Sequence, residues 1–409
     1  MGYFTASLGV LWLALGISNA IDVISGRIRN HGHYVVCSTW GNYHFKTFDG
    51  DFYQFPGSCT YNLVSDCGDS YPEFSVHVHR SEDSGHPLID KITVTIKDVT
   101  ILLESSIAIV NGDIAKTPYY SFGIHIQKND EYFKLYTKTG LTLMWNKEDA
   151  VMVELSAKFN NRTCGLCGDY NGVPFYNEFY SQSILLSPIQ FGNLQNIYDP
   201  KDDCMDIDET QKTDTEHCYQ YRSLCEQHLT HQAFTDCGTL LNTESYIQAC
   251  MLDMCSCDHS QDSFCLCSTI TEYSRQCSHA GGRPGNWRTP NFCPKQCPAN
   301  MVYQESASPC KNSCSHLEIH SLCEEHYMDG CFCPEGTVLD DYTNKGCVQA
   351  SECHCKHRDA LYAPGQSIQT NVLLEDGVAQ IVPAREFAPL KVEPISTLLM
   401  EKPLRFMGT

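Results

Sequence analysis

The 25 cysteines of this 409-residue chain are unevenly placed: five precede Cys204, and twenty crowd into the span from Cys204 to Cys355. Thiols at that density persist only as disulfides, in an oxidising compartment. The division predicts a cysteine-poor part able to bury a core of its own, followed by a part stapled by bridges. An odd total leaves at least one thiol without an internal partner. The start of the chain agrees with such a destination, because the apolar run from Leu8 to Leu15 ends in Ser18-Asn19-Ala20, the pattern of a signal peptide over residues 1–20. No later run approaches the roughly 20 apolar residues of a membrane span, so a secreted, extracellular protein is expected.

Charge narrows the partners. Lys and Arg number 28 against 49 acids, a formal net charge of −21, which speaks against nucleic acid and membranes and for cations. A solvated acidic surface accounts for most of these carboxylates, so only a local gathering of them carries more.

From Cys37 to about Cys204 the pattern is β. Phe74, Val76 and Val78 alternate with Ser75, His77 and His79, and Ile92, Val94 and Ile96 alternate with lysines and threonines. Turns are signalled by "NGD" at Asn111 and "KND" at Lys128, and an antiparallel β-sandwich of about 170 residues follows. After Cys204 the strands stop, and short helices pinned by cysteines are expected, with Tyr219, Tyr221, Leu224 and Leu229 on one apolar face. From Cys293 the texture changes to cysteine-rich loops. Beyond Cys355 a cysteine-free tail reads as poorly ordered.

Three constellations carry chemistry. "TFDGDFYQFPGSC" places Asp49 and Asp51 in a turn, and "CGLCGDYNGVPFYNEF" gathers Asp169, Asn171, Asn177 and Glu178 around two glycines, a supply of hard oxygens suited to Ca²⁺ or simply a solvated turn. In "CGLC" the spacing of Cys164 and Cys167 invites a redox reading, but no βαβ context surrounds it and Cys37 and Cys67 are available upstream for bridges. In "LMWNKEDAVMVEL" a hairpin centred near Glu148 sets Met144 opposite Met152 and Trp145 opposite Val151; Leu141, Leu143, Trp145, Val151, Val153 and Leu155 take the core face, and the two thioethers share the other. Thioether is a Cu(I) ligand and imidazole suits Cu(II), while a second packing surface covered by another module is the plainer account. No G-x-S-x-G is present, the C-x-C pairs read as bridges rather than zinc ligands, and Asn161-Arg162-Thr163 is a glycosylation sequon.

"CSTWGNYHFKTFDGDFYQFPGSC" together with "CGLCGDYNG" resembles the von Willebrand factor type D domain, "SRQCSHAGGRPGNWRT" the end of a C8 module, and "SPCKNSCSHLEIHSLCEEHYMDGCFCPEGTVLDD" a trypsin-inhibitor-like module. Their order is that of the first D assembly of a gel-forming mucin, most like the intestinal type, over about residues 30–370. The resemblance implies a type D domain at 35–206, a C8 module at 215–280, a trypsin-inhibitor-like module at 293–353, and over 354–409 the start of an E module with an unordered tail. It implies bridges of Cys37 with Cys167, Cys67 with Cys164 and Cys59 with Cys204, and Cys355 left without its partner. It makes Asp49, Asp169, Asn171, Asn177 and Glu178 calcium ligands. His33, His279 and His326 become Cu(II) ligands, and Met144, Met152 and Met328 Cu(I) ligands.

The function so implied is that of a secreted, non-enzymatic mucin D assembly in mucus. It packs with other D assemblies, its own copies or full-length mucin, under the control of Ca²⁺ and pH, and it binds copper. Competing expectations are an extracellular interaction module of the von Willebrand or growth-factor-regulator kind, a protease inhibitor acting through residues 293–353, and an oxidoreductase built on CGLC.

Overall fold

A computed structural model describes residues 35–381 except 69–70, 84, 130, 174–176, 182–183, 199–203, 209–214, 257–262, 309–311, 318–326, 358–359, 367–370 and 374–378. The leader read at 1–20, His33 and His326 lie outside the described residues. The chain divides into two compact bodies, residues 1–311 with 320–333 and residues 312–319 with 334–409.

Two antiparallel sheets form the bulk of the first body. One runs edge to edge through Tyr119–Ser121, Ile124–Lys128, Phe133–Thr137, Leu141–Trp145, Val151–Leu155, Val35–Trp40, His44–Lys46 and Phe52–Gln54. The other runs through Thr163–Cys164, Thr60–Asp66, Phe74–Asp83, His86–Ile96, Val99–Glu104, Ala108–Val110 and Asp113–Ala115. This is the mostly β, antiparallel sandwich that the alternation predicts. Phe74, Val76, Val78, Ile92, Val94 and Ile96 are buried in one core with Leu141, Leu143, Trp145, Val151, Val153 and Leu155 of the facing sheet. One irregularity keeps the pattern in phase: the register shifts between His79 and Arg80, where Asp90 is the extra residue, so that Ile89 also turns inward. The Asn111-Gly112 turn joins its strands with both residues at positive φ, the backbone a two-residue hairpin needs.

The first sheet departs from simple alternation. Every residue of Val151–Leu155 is buried, including Met152 and Glu154, and so are all but the first of Val35–Trp40. A half-exposed sheet shows polar groups on its outer face; this one is covered there by a second layer. The layer consists of helices and of one hairpin, Val302–Ala307 with Met328–Phe332.

Helix α1 (Pro188–Asn193) closes the sandwich, started by the Ser187 hydroxyl, which accepts from the Gln190 amide at 3.1 Å. The helical module comprises α2 (Arg222–Leu229), α3 (Thr243–Ser256) and α4 (Ser263–His279). Bridges Cys218–Cys255, Cys225–Cys250, Cys237–Cys277 and Cys267–Cys293 pin it. Of the apolar helical face expected there, Leu229 is buried and Leu224 half-buried in the module's core, but Tyr219 lies in a 3₁₀ turn before α2 and is 66% exposed. The helix begins too late for Tyr219 to share its face.

In the second body, Thr337–Asp340 pairs with Gly346–Gln349, and Cys314 bonds to Cys353. Within the span read as an E-module start and tail, Cys355–His357 pairs with Ala360–Tyr362 and Asn371–Leu373 with Ala379–Ile381.

Candidate metal centres

The CGLC loop lies against the strand Thr60–Asp66, where the Leu166 and Cys167 amides donate to the carbonyls of Asn62 and Leu63 at 3.0 and 2.9 Å. The approach is too close for a side chain at Gly165, whose Cβ would stand 2.7 Å from the Leu63 carbonyl oxygen. Beyond the loop the chain turns back over the Asp49 turn. The Asn171 and Gly172 amides donate to the two Asp49 carboxylate oxygens at 3.2 and 2.5 Å, and the Asn171 side-chain amide donates to Asp169 at 2.8 Å.

The result is a triad: one oxygen each of Asp49, Asp169 and Glu178 lies within 4.8 Å of the others. Three carboxylates so placed repel one another, and the carboxyls respond by holding protons. Burial, then the charge of Asp49, raises the Asp169 carboxyl. Burial, then a hydrogen bond to Asp51, pushes Glu178 up to about 8. Gly168 leaves the room that Glu178 occupies, since a Cβ there would meet the Glu178 Cγ at 2.7 Å. Hard oxygens, clustered negative charge and a glycine cradle fit a Ca²⁺ ion. Asn171 borders the triad, whereas Asn177 is placed only by its backbone, in the 3₁₀ turn Asn177–Phe179. Asp51 is the participant that reading the motif as a ligand set omits: it is buried, and it reaches Glu178 only because the 3₁₀ turn folds back.

The methionines occupy the covered outer face of the first sheet. Met144 pairs with Met152 across the hairpin and Trp145 with Val151, the expected register. Met328 comes from the strand Met328–Phe332, and the three pack with Val36, Tyr132, Ala307 and Phe332. Packing and ligation are therefore not exclusive here. The three thioethers and His279 line one cavity of about 20 Å³, large enough for a single atom or water. His279, the last residue of α4, contacts the buried Glu154 carboxylate through Nε2, and the Lys134 ammonium donates to the Met328 sulphur. A soft thioether set beside an imidazole with a carboxylate partner fits copper in both oxidation states.

The structure joins Cys37 to Cys167, Cys67 to Cys164 and Cys59 to Cys204, so the two CGLC cysteines sit in different bridges. Cys355 is an exposed free thiol. Asn161 is exposed, while Thr163 of the same sequon is buried and its hydroxyl donates to the Gly168 carbonyl at 2.8 Å.

A further set of residues was invisible to motif reading. Trp40, Gly41 and His44 of "STWGNYH" belong to the helical module's core rather than to that of the sandwich. The Trp40 indole donates to Thr269 at 3.0 Å, Thr269 donates to Asp253 at 2.5 Å, and the other Asp253 oxygen meets His44 at 2.5 Å. A Cβ on Gly41 would stand 2.8 Å from the Ser268 hydroxyl. Their only signal in the sequence is aromatic and polar bulk at strand ends, which does not name a partner.

A two-sheet sandwich, a bridged helical module seated on its outer face and a cysteine-rich hairpin beside it define a von Willebrand-type D assembly. Residues 37–183 match the von Willebrand factor type D domain, 224–294 the C8 domain and 297–353 the trypsin-inhibitor-like cysteine-rich domain. These are the modules of a mucin D assembly, in the order a fragment of one carries them. The chain is 53% identical over 371 residues to Mucin-2 of Homo sapiens, covering 90% of this chain and 7% of that relative. To Mucin-2 of Rattus norvegicus it is 54% identical over 371 residues, 90% of this chain and 24% of the relative, and to Mucin-5AC of Homo sapiens 44% over 337 residues, 82% and 6%. The chain thus spans less than a quarter of the length of these relatives. It is a secreted protein, which its bridges require; among the described residues no helix is long and apolar enough to cross a membrane.

Proposed function

We propose that this mucin D assembly is a metal-binding structural module of mucus that works by holding and packing rather than by catalysis. Calcium is held at Asp49, Asp169 and Glu178, with Asn171 and Asn177 completing the shell. Its charge replaces the protons that otherwise keep these carboxyls together, and so ties the CGLC loop to the Asp49 turn. Copper is held as Cu(I) by Met144, Met152 and Met328 on the outer face of the first sheet, and as Cu(II) by His33, His279 and His326.

The observation that carries the copper reading is the convergence of three thioethers, from two neighbouring strands and one distant in sequence, on the cavity that His279 also lines. Glu154 orients the imidazole, and burial keeps water from the sulphurs. The experiment is a titration of the purified chain with Cu(II), followed by ascorbate, comparing wild type with His326→Ala and with Met144→Val/Met152→Val. Stoichiometric Cu(II) binding lost in the histidine variant, and Cu(I) retention lost in the double methionine variant, support the reading. Binding no stronger than to an unrelated acidic protein overturns it.

Packing with other mucin D assemblies, as copies of this chain or within a longer mucin, is the partner reading. The 17 histidines motivate its pH dependence, since their protonation relieves part of the −21 charge. A mass in solution unchanged between about pH 7.4 and pH 6.0 refutes it.

A further inference from the structure

A second cavity, of about 750 Å³, opens between the sandwich, α4 and the segment after Cys293, all within the first body. That volume is in the range of pockets that enclose small organic ligands, roughly 300–1,000 Å³. Two of its charged lining residues already have partners. Asp329 accepts from the Tyr132 and Tyr303 hydroxyls, each at 2.6 Å, and Arg288 spends its donors on Glu305, Thr271 and the Cys293 carbonyl. One wall is aromatic, with the rings of His86 and Phe264 4.4 Å apart beside the Cys267–Cys293 bridge.

Glu131 and Lys295 differ from these. Both line the cavity, near enough for Lys295 to offset part of the burial that raises the Glu131 carboxyl. Yet among the ion pairs of the described residues Glu131 and Lys295 are not joined. The nearest sulphur to the Glu131 carboxylate, Cys331 Sγ at 3.6 Å, is in the Cys297–Cys331 bridge and has no hydrogen to donate. Lys147, which also lines the cavity, gives its ammonium to the Asn129 carbonyl at 2.9 Å. Glu131 and Lys295 therefore line one cavity, together with Glu148 and Asp149, without closing on each other and beside an aromatic pair. A ligand completes this arrangement if it carries both charges at a small separation and a ring between them.

We propose that this cavity binds a small zwitterion of the aromatic dipeptide class, its ammonium at Glu131, its carboxylate at Lys295 and its ring against Phe264 and His86. The test uses the full chain, titrated calorimetrically with phenylalanyl-alanine, its N-acetyl derivative and its C-terminal amide, for wild type, Glu131→Gln and Lys295→Ala. Each blocked end weakens binding to wild type about tenfold, the worth of one charge contact of about 1.4 kcal/mol. Glu131→Gln removes the discrimination against the acetylated probe, and Lys295→Ala that against the amide. No binding of the free dipeptide at 10 mM (about 2.7 kcal/mol at 25 °C) overturns the proposal, as does equal binding of all three probes to wild type. The wild-type comparison decides even if a variant fails to fold.

Discussion

Replacing Trp40 by alanine tests the claim that this ring serves the core of the helical module rather than that of the sandwich. Trp40 is wholly buried, packs on Phe52, His44 and Tyr246 at centroid distances of 5.8, 5.4 and 6.0 Å, and anchors the Thr269–Asp253–His44 chain through its indole. Removing such a ring costs about 3–5 kcal/mol, transfer and cavity together. Because the ring belongs to the helical core, the loss falls on the docking of α3 and α4 rather than on the sandwich. Trp40→Phe keeps most of the packing but takes away the indole N–H, for about 1 kcal/mol. The assay is urea unfolding with disulfides intact, read in parallel by hydrogen exchange of amides in α4 and in Phe74–Asp83. The expectation is early exchange in α4 with Phe74–Asp83 little changed, and a loss for Trp40→Ala at least twice that for Trp40→Phe. Equal loss of protection in both regions, or a loss below about 1.5 kcal/mol, refutes the reasoning.

Calcium affinity should fall on acidification, because the ion must displace the proton that Glu178, pushed up to about 8, holds at lower pH; one displaced proton gives about tenfold weakening per pH unit below 8. Calorimetry at pH 8, 7 and 6 checks this, and a pH-independent affinity contradicts it. The same raised carboxyl makes the ion-free fold lose stability as pH rises from about 4.5 to about 8, a loss that saturating calcium reverses in thermal melts. Gly165→Ala, with φ +117° and a backbone oxygen 2.7 Å from the new Cβ, should block formation of the bridges through Cys164 and Cys167 and abolish secretion, scored on non-reducing gels of culture medium. Maleimide should label the native chain at Cys355, and Cys355→Ser should abolish that label.

Much of the sandwich was legible in the sequence because strand periodicity is local. The alternation at Phe74–Val78 and Ile92–Ile96 names the core face without reference to anything distant, and the pairing of Met144 with Met152 follows from the position of one turn. The helical stretch was legible only in outline: cysteine density announced bridges, but the start of α2 decides that Tyr219 is exposed.

What the sequence by itself determined is therefore the two-textured architecture and the residue types available to metals. Only the tertiary structure decided that the first sheet is buried on both sides, that Trp40 and His44 serve a module more than 200 residues away, and that Met328 joins Met144 and Met152. It also decided that Asp51 meets Glu178 and that Glu131 and Lys295 line one cavity. The physical reason is that periodicity reports which way a side chain points within its own element, whereas a site is made where elements meet. Where they meet depends on the packing of whole layers, a property that no single segment carries.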